Sequence, residues 1–201
     1  MKKIGITGTI ASGKTTVSIL LRRRGMPVFN SDQYAKMCLH KGNARFDEIV
    51  KTFGEGILDE TGDINNKKLA AIVFSNEEER QKLNAIVHPF VFEGMHKFFA
   101  QKEDLPFAFA EVPLLFECHL ENEFDEIIVV TCQKETAIQR MMEDRNYTRE
   151  EAEGRYLSQI DPEKQIAAAS IVIYNDESIQ DLDRKVNRMI GKLRGRDGKK
   201  A

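Results

Sequence analysis

GTIASGKT, residues 8–15, fits the pattern G-x-x-x-x-G-K-[ST]. Glycines at such positions let the chain curl until successive N–H groups point inward at phosphate oxygens, and a helix that follows adds the positive end of its dipole. In a loop of this kind Lys14 reaches the β and γ phosphates of a nucleoside triphosphate, and the Thr15 hydroxyl ligates Mg²⁺. The pattern means this only where a strand precedes it and a helix follows. KIGIT at 3–7 is a short β-rich run. From Lys14 onward Val17, Leu20 and Leu21 fall at helical spacing, and Gly25 closes the segment. PVFN at 27–30 reads as a second strand. A β-α-β unit is therefore predicted within the first thirty residues, both strands in one parallel sheet.

Working outward, the next stretch changes character. Phe46, Ile49, Val50 and Phe53 repeat at helical spacing, as do Leu69, Ile72 and Val73, then Leu83, Ile86, Val87 and Phe90. Ser75 with Glu78 reads as a capping box. With no strand pattern there, 36–100 is predicted to be a helical insertion. Apolar runs return at 107–110, 127–130 and 171–174, of the continuous kind that suits strands buried on both faces. Between the last two lies a polar helical stretch, 134–165, with Thr148 and Glu151 as a second capping box. Ile179, Leu182, Val186, Met189 and Leu193 mark a closing helix, and the tail from 195 onward is expected to fray.

Composition narrows the function. The 201 residues are 41% hydrophobic and 31% charged, ordinary for a soluble domain with an insertion. A net charge of −2 argues against nucleic acid or an anionic membrane as partner. Cys38, Cys118 and Cys132 are odd in number and lack metal spacing, which points to a reducing cytoplasm. The N-terminal MKKIGITG has no long apolar core and is not expected to be a signal peptide, and no run is long enough to span a membrane. A guanine-nucleotide switch needs N-K-x-D after a strand; NKKL at 66–69 lacks the Asp, and DETG at 59–62 sits in a turn-rich region. A phosphotransferase acting on a small acceptor fits better.

Several residues could serve that acceptor. Asp32 follows the second strand, and chemistry in an open α/β sheet gathers at the carboxyl ends of strands. Its carboxylate can orient an attacking hydroxyl, or it can simply cap the helix beginning near Gln33; the two roles can coexist. Glu111 ends the third strand and could hold the water shell of a metal, or be a salt-bridged acid. His88 precedes Pro89 inside a helical pattern, where the proline should disturb the ladder and the histidine is more often structural. The stretch 134–165 carries Arg140, Arg145, Arg149, Arg155 and Lys164. As a wet helical face it would pair Arg140 with Asp144; as a lid it would close arginines over a triphosphate and exclude water. Arg22, Arg23 and Arg24 end the first helix and are expected to be solvated.

With these strings in this order the chain resembles the dephospho-coenzyme A kinase family over almost its whole length. GITGTIASGKTTV is similar to its opening loop, and VFNSDQYAK to the segment in which Asp32 addresses the acceptor hydroxyl. LDETGDINNKKLAAIVFSN and LNAIVHP are similar to its acceptor region, and AEVPLLFE at 110–117 to its most recognisable string. QRMMEDRNYTREEAEGRYLSQ at 139–159 resembles its lid, and IVIYND at 171–176 its last strand and turn. The resemblance implies an α/β fold: a P-loop nucleotide-kinase-like parallel core (1–35, 101–133, 166–195), a helical acceptor domain (36–100) and a small helical lid (134–165). It implies ATP-dependent phosphorylation of the ribose 3′-hydroxyl of dephospho-CoA, with Mg²⁺; composition places the protein in the cytoplasm, and a monomer and a small homo-oligomer both stay open. Another P-loop small-molecule or nucleotide kinase is the alternative, and a nucleotide-binding protein without turnover the non-enzyme one. Asp32, Lys14 and Arg140 are the implied catalytic residues. Gly8, Ile10, Ala11, Ser12, Gly13, Lys14, Thr15, Thr16, Arg140 and Asn175 are implied on ATP, and Thr15 on the metal. Asp32, Lys67, Lys68, His88, Glu111 and Leu115 are implied on the acceptor. The chain departs from the family at Asn30, where Asp is frequent, so Asp32 acts alone. It departs also at Thr9 and Ala11, commonly Gly; at Asn66, often Arg, which leaves the acceptor phosphate to Lys67 or Lys68; and at Ser170, often Asp.

Overall fold

The apolar runs assemble into one sheet. In the computed structural model, which describes residues 1–197, the strands are β1 (Lys2–Gly8), β2 (Val28–Asn30), β3 (Phe107–Glu111), β4 (Glu126–Thr131) and β5 (Ile171–Tyr174). Their order is β2-β3-β1-β4-β5. β1 pairs in parallel with β3 and with β4, and β4 with β5. The two strands of the first β-α-β unit thus share a sheet without being neighbours, because β3 runs between them. Alternation along the strands divides the sheet into faces. Ile4, Ile6, Phe109, Ile128, Val130 and Ile173 cluster with α1 (Lys14–Arg22) and α9 (Ile179–Asp197) through Leu20, Leu21, Leu182, Val186 and Leu193. Arg24 joins these helices from its own side: it donates to Asp183 and Asn187 of α9, each at 2.7 Å, so it is not the solvated terminus expected. The C-terminal tail expected to fray lies largely outside the described residues.

Two compact units divide the chain. One comprises Met1–Phe29 and the chain from Lys102 onward; the other is Asn30–Gln101. The second unit holds α2 (Ser31–Lys36), α3 (Phe46–Phe53), α4 (Asn66–Ser75) and α5 (Glu77–Ala100). Past Asn30, which ends β2, the one β pairing among its described residues is an isolated bridge between Leu58 and Ile64. Its core gathers Cys38, Phe46, Ile49, Ile57, Leu69 and Ile86. α5 runs 24 residues straight through Pro89. One lost ladder bond does not end it, because Ile86, Val91, Met95 and Phe99 are buried on either side of the proline. Its cap is Asn76, whose side chain accepts from the N–H groups of Glu78 and Glu79; Ser75, expected in that place, donates its hydroxyl back to Ala71 and Ile72 within α4. An amide oxygen one residue on reaches the same orphan donors, and spacing alone cannot separate the two.

The polar stretch forms α6 (Lys134–Arg145), α7 (Arg149–Leu157) and α8 (Pro162–Ala168). Thr148 and Glu151 make the expected capping box at α7.

In the second unit, α2 is fastened to α5 by Tyr34, whose ring stacks on Phe90 at 4.6 Å between centroids and lies on Gly94. A Cβ at Gly94 would collide with that ring. Gly94→Val is expected to destabilise the protein by about 1–3 kcal/mol through overpacking. Gly154→Ala, in open space on α7, is expected to stabilise it by about 0.5–1 kcal/mol. Urea unfolding checks both, and equal midpoints would show that α2 does not depend on this contact.

Candidate active site

The loop leaves the sheet between strand ends. Thr9 N–H donates to the carbonyl of Val130 at the end of β4, 3.2 Å away. Ala11 (φ 55°) and Gly13 (φ 94°) then take the left-handed conformation that turns the chain back into α1. At Ala11 this costs about 1–2 kcal/mol, because a Cβ crowds the following carbonyl. At Gly13 the space a Cβ would take is occupied by the Asn175 carboxamide, which donates to Ser12 O at 2.8 Å. Asn175 is buried just past β5 and is itself fixed by its N–H on Thr131 O at 2.8 Å. Lys14 Nζ donates to Gly8 O (2.9 Å) and Thr9 O (2.8 Å), so its ammonium lies back across the loop.

Thr15 and Glu111 come together. Thr15 Oγ1, in the first turn of α1, donates to Glu111 Oε1 at 2.7 Å. The β1–β3 register sets Ile6 opposite Glu111, which brings the end of β3 beside the loop. Glu111 is 3% exposed. Glu111, expected on the acceptor or on the water shell of a metal, thus lies against the hydroxyl at the start of α1. Leu115, also expected on the acceptor, is fully buried over Gly5; the exposed member of that string is Leu114 at 52%. A run of two leucines gives no indication of which one faces inward.

The polar stretch expected to be a lid is seated on the loop. Arg140 donates to Ala11 O (3.2 Å) and Asn175 O (2.9 Å) and not to Asp144, the partner helical spacing suggested. Ile10 and Ala11 pack against Ile138, Met141 and Ala152 of α6 and α7. The N–H of Ile10 donates to Gln159 Oε1 at 2.7 Å. Gln159 escaped the sequence reading because a glutamine in a polar stretch carries no periodicity or motif. Arg149 and Arg155 bind this stretch to itself: Arg149 forks onto Glu135 at 2.8 and 2.7 Å and meets Glu153, while Arg155 lies 4.5 Å over the Tyr147 ring.

In the second unit, Asp32 is exposed in the first turn of α2. The capping role falls to Asn30, whose side chain accepts from Gln33 N–H at 2.8 Å. Both expected acceptor lysines, Lys67 and Lys68, are exposed, and Lys68 Nζ donates to Leu58 O at 2.6 Å. His88 is half-buried with its ring 6.0 Å from Phe92, and burial lowers its pKa below the ordinary 6.5.

A backbone nest at a strand–helix junction, with a lysine laid across it and a hydroxyl and a buried acid beside it, suits phosphoryl transfer to small acceptors. Fold and site together define a P-loop kinase of that class. The CoaE dephospho-CoA kinase family model matches residues 2–181. A dephospho-CoA kinase of Listeria monocytogenes is 41% identical over 193 residues, 94% of this chain and 96% of the relative. The crystal structure of TT1252 from Thermus thermophilus superposes with a TM-score of 0.79 at 31% identity, covering 96% of this chain and 97% of that one. Dephospho-CoA kinase from Campylobacter jejuni gives 0.72 at 27%, covering 95% and 96%. The chain belongs to the dephospho-CoA kinase family.

Two measurements probe this geometry. Removing the acceptor for Ile10 N–H with Gln159→Ala is expected to weaken ATP binding about fivefold, one hydrogen bond's worth, as read by calorimetry; an unchanged Kd would show the bond to be idle. Burial disfavours protonated His88 in the folded state, so the unfolded chain takes up its proton first as pH falls, and stability is lost on acidification from about pH 7 downward. Replacing it with His88→Gln is expected to flatten the stability–pH curve between about pH 7 and 5. A variant curve parallel to wild type would remove His88 from the acid response.

Proposed function

We propose that the protein transfers the γ-phosphoryl group of ATP to the ribose 3′-hydroxyl of dephospho-CoA, the step that completes coenzyme A. What carries this reading is the reach of the family match: 2–181 takes in the phosphate loop and the segment bearing Asp32 alike. The loop N–H groups and Lys14 bind the triphosphate and draw charge from the β and γ phosphates. Arg140, fixed by two carbonyls, has N–H donors to spare for phosphate oxygens. Asp32 accepts a hydrogen bond from the 3′-hydroxyl and aligns it. In-line transfer has a loose transition state, so alignment and charge matter more than a strong base, and an exposed carboxylate suffices. Thr16 and Lys67 complete the donor and acceptor contacts.

Mg²⁺ suits the oxygens present. Thr15 Oγ1 and Glu111 are hard donors held 2.7 Å apart beside the phosphate loop. Among the described residues there is no cluster of three or more metal-seeking acids, histidines or cysteines. A magnesium ion that keeps waters and takes phosphate oxygens needs only one or two protein ligands. Thr15 would hold it directly and Glu111 would orient its water; when bound it spreads the negative charge of the transferring group. Among the described residues no helix is long and apolar enough to cross a membrane, and all three thiols are free. A cytoplasmic monomer or small homo-oligomer accords with both.

The direct experiment is to mix protein, Mg·ATP and dephospho-CoA and detect coenzyme A by mass. Product from another alcohol in a panel, and none from dephospho-CoA, would favour a different P-loop kinase. ATP binding without product from any acceptor would favour a non-catalytic role. Asp32→Asn and Lys14→Ala are each expected to lower turnover by about 10²-fold or more, while Asp32→Asn shifts the unfolding free energy by less than about 0.5 kcal/mol. A folded Asp32→Asn enzyme with near-normal turnover would remove that residue from the mechanism.

A further inference from the structure

Thr7 is a polar side chain near the end of β1, one residue before the phosphate loop, and it is fully buried. A hydroxyl taken out of water needs a partner. Thr7 finds one outside the strand ladder: its Oγ1 donates to the carbonyl of Pro113 at 3.1 Å. That carbonyl stands two residues past Glu111, the last residue of β3. None of the roles above uses this bond.

Three consecutive residues of β1 hold the chain that leaves β3. Gly5 makes room for Leu115, since a Cβ there would come 2.8 Å from Leu115 Cδ1. Ile6 O accepts the N–H of Val112 at 2.9 Å, which carries the β1–β3 pairing one residue beyond the pair Ile6 and Glu111. Thr7 closes the series on Pro113, which has no N–H of its own to offer. Alternation puts Ile4 and Ile6 on the face that packs with α1, and Gly5 and Thr7 on the other. By the same rule Glu111 shares the α1 face with Phe109, and there its carboxylate meets Thr15 Oγ1. Glu111 therefore projects to one face while the chain just past it is fastened on the other.

We propose that Thr7 is a positioning residue for the pair of Thr15 and Glu111: by holding Pro113 it fixes the direction of the Glu111 carboxylate, and so sets how far Mg²⁺ strengthens ATP binding. The assignment rests on the reading that Thr15 and Glu111 stand on the metal side of the site. Its chemical logic lies in the metal's demands. Magnesium requires near-ideal octahedral geometry and keeps several of its waters, so an acid that orients one of those waters must itself be held still. A strand end with only the ladder behind it is free to splay; the bond from Thr7 holds it from the side the ladder does not reach.

The test is calorimetric, because titrating ATP with Mg²⁺ and again with EDTA separates the metal from the nucleotide. The wild type is expected to bind ATP more tightly with Mg²⁺ than with EDTA. Thr7→Val, of the same shape without the hydroxyl, is expected to lose about fivefold of that gain, one hydrogen bond's worth, while its affinity in EDTA stays at the wild-type value. Thr7→Ser, which keeps the hydroxyl, is expected to keep the gain. In Glu111→Gln the gain is expected to be reduced already, and adding Thr7→Val to reduce it no further. Each variant's fold is checked by its urea midpoint. If Thr7→Val does not fold, Thr7→Cys, a weak donor close to serine in size, takes its place with the same expectations. A folded variant that binds ATP more weakly by the same factor in both titrations, or that keeps the full gain, overturns the positioning role and leaves the kinase reading intact. So does an effect of Thr7→Val that Glu111→Gln leaves undiminished. A wild type that gains nothing from Mg²⁺ overturns the metal reading of Thr15 and Glu111, and this assignment with it.

Discussion

A loop that binds phosphate through its own N–H groups must keep them turned inward before any phosphate arrives. Here the loop is held from both sides of its peptides: the N–H groups of Thr9, Ile10 and Ser12 donate to Val130 O, Gln159 Oε1 and Thr9 O, and the carbonyls have partners of their own. Lys14 takes those of Gly8 and Thr9, Arg140 that of Ala11, and Asn175 that of Ser12. A peptide plane is rigid, so fixing its oxygen fixes the direction of the N–H across the same bond. The arrangement accounts for the left-handed backbone at Ala11, tolerated although it bears a Cβ. Its carbonyl and its neighbour's N–H are both held, by Arg140 and Gln159. Local strain of this kind persists where the surroundings over-determine it.

The same bonds join the loop to the lid. The small apolar cluster of α6 and α7 includes Ile10 and Ala11, so the loop's crest is part of the lid's own core. Arg140 spans from α6 to the loop and to the turn after β5, and that turn is bound to β4 through Asn175 N–H on Thr131 O. A change in the lid therefore reaches the phosphate nest through one or two bonds. Arg149 and Arg155 supply the lid with internal cohesion instead. Their partners Glu135, Glu153 and Tyr147 all belong to the lid stretch. In a run rich in arginine, charge alone cannot tell which side chain faces the nucleotide and which holds two helices together.

That distinction marks how much could be read without coordinates. The five strands, the loop and the helical character of 36–100 follow from periodicity, because burial on one or both faces imposes it on the sequence. Strand order does not, since an apolar run bears no mark of its neighbour, and β3 lies between two strands that are consecutive in the chain. Side-chain partners at equal spacing were also beyond reach. Asn30 and Asp32 both suit the start of α2, and the amide is the cap. Ser75 and Asn76 both suit the start of α5, and again the amide is chosen. Arg140 had an acid four residues on and took two carbonyls far along the chain instead. The bond between Thr15 and Glu111 joins residues 96 apart in sequence, and only the meeting of β1 and β3 makes it possible.

Placing the cap on Asn30 has a chemical consequence for its neighbour. A carboxylate that caps a helix spends its lone pairs on backbone N–H groups and is held to one orientation. The cap here is the amide of Asn30, and Asp32 lies in the first turn, where the helix dipole favours an anion. The task proposed for it in a loose transfer is to hold a hydroxyl in line, for which position outweighs basicity. Position in turn depends on α2, which is only six residues long and too short to be stable alone. The stacking of Tyr34 on Phe90 and its seat on Gly94 tie that short helix to the 24-residue α5. The reactive geometry proposed for the acceptor thus rests on an aromatic contact in the core of the helical unit, away from any charged group.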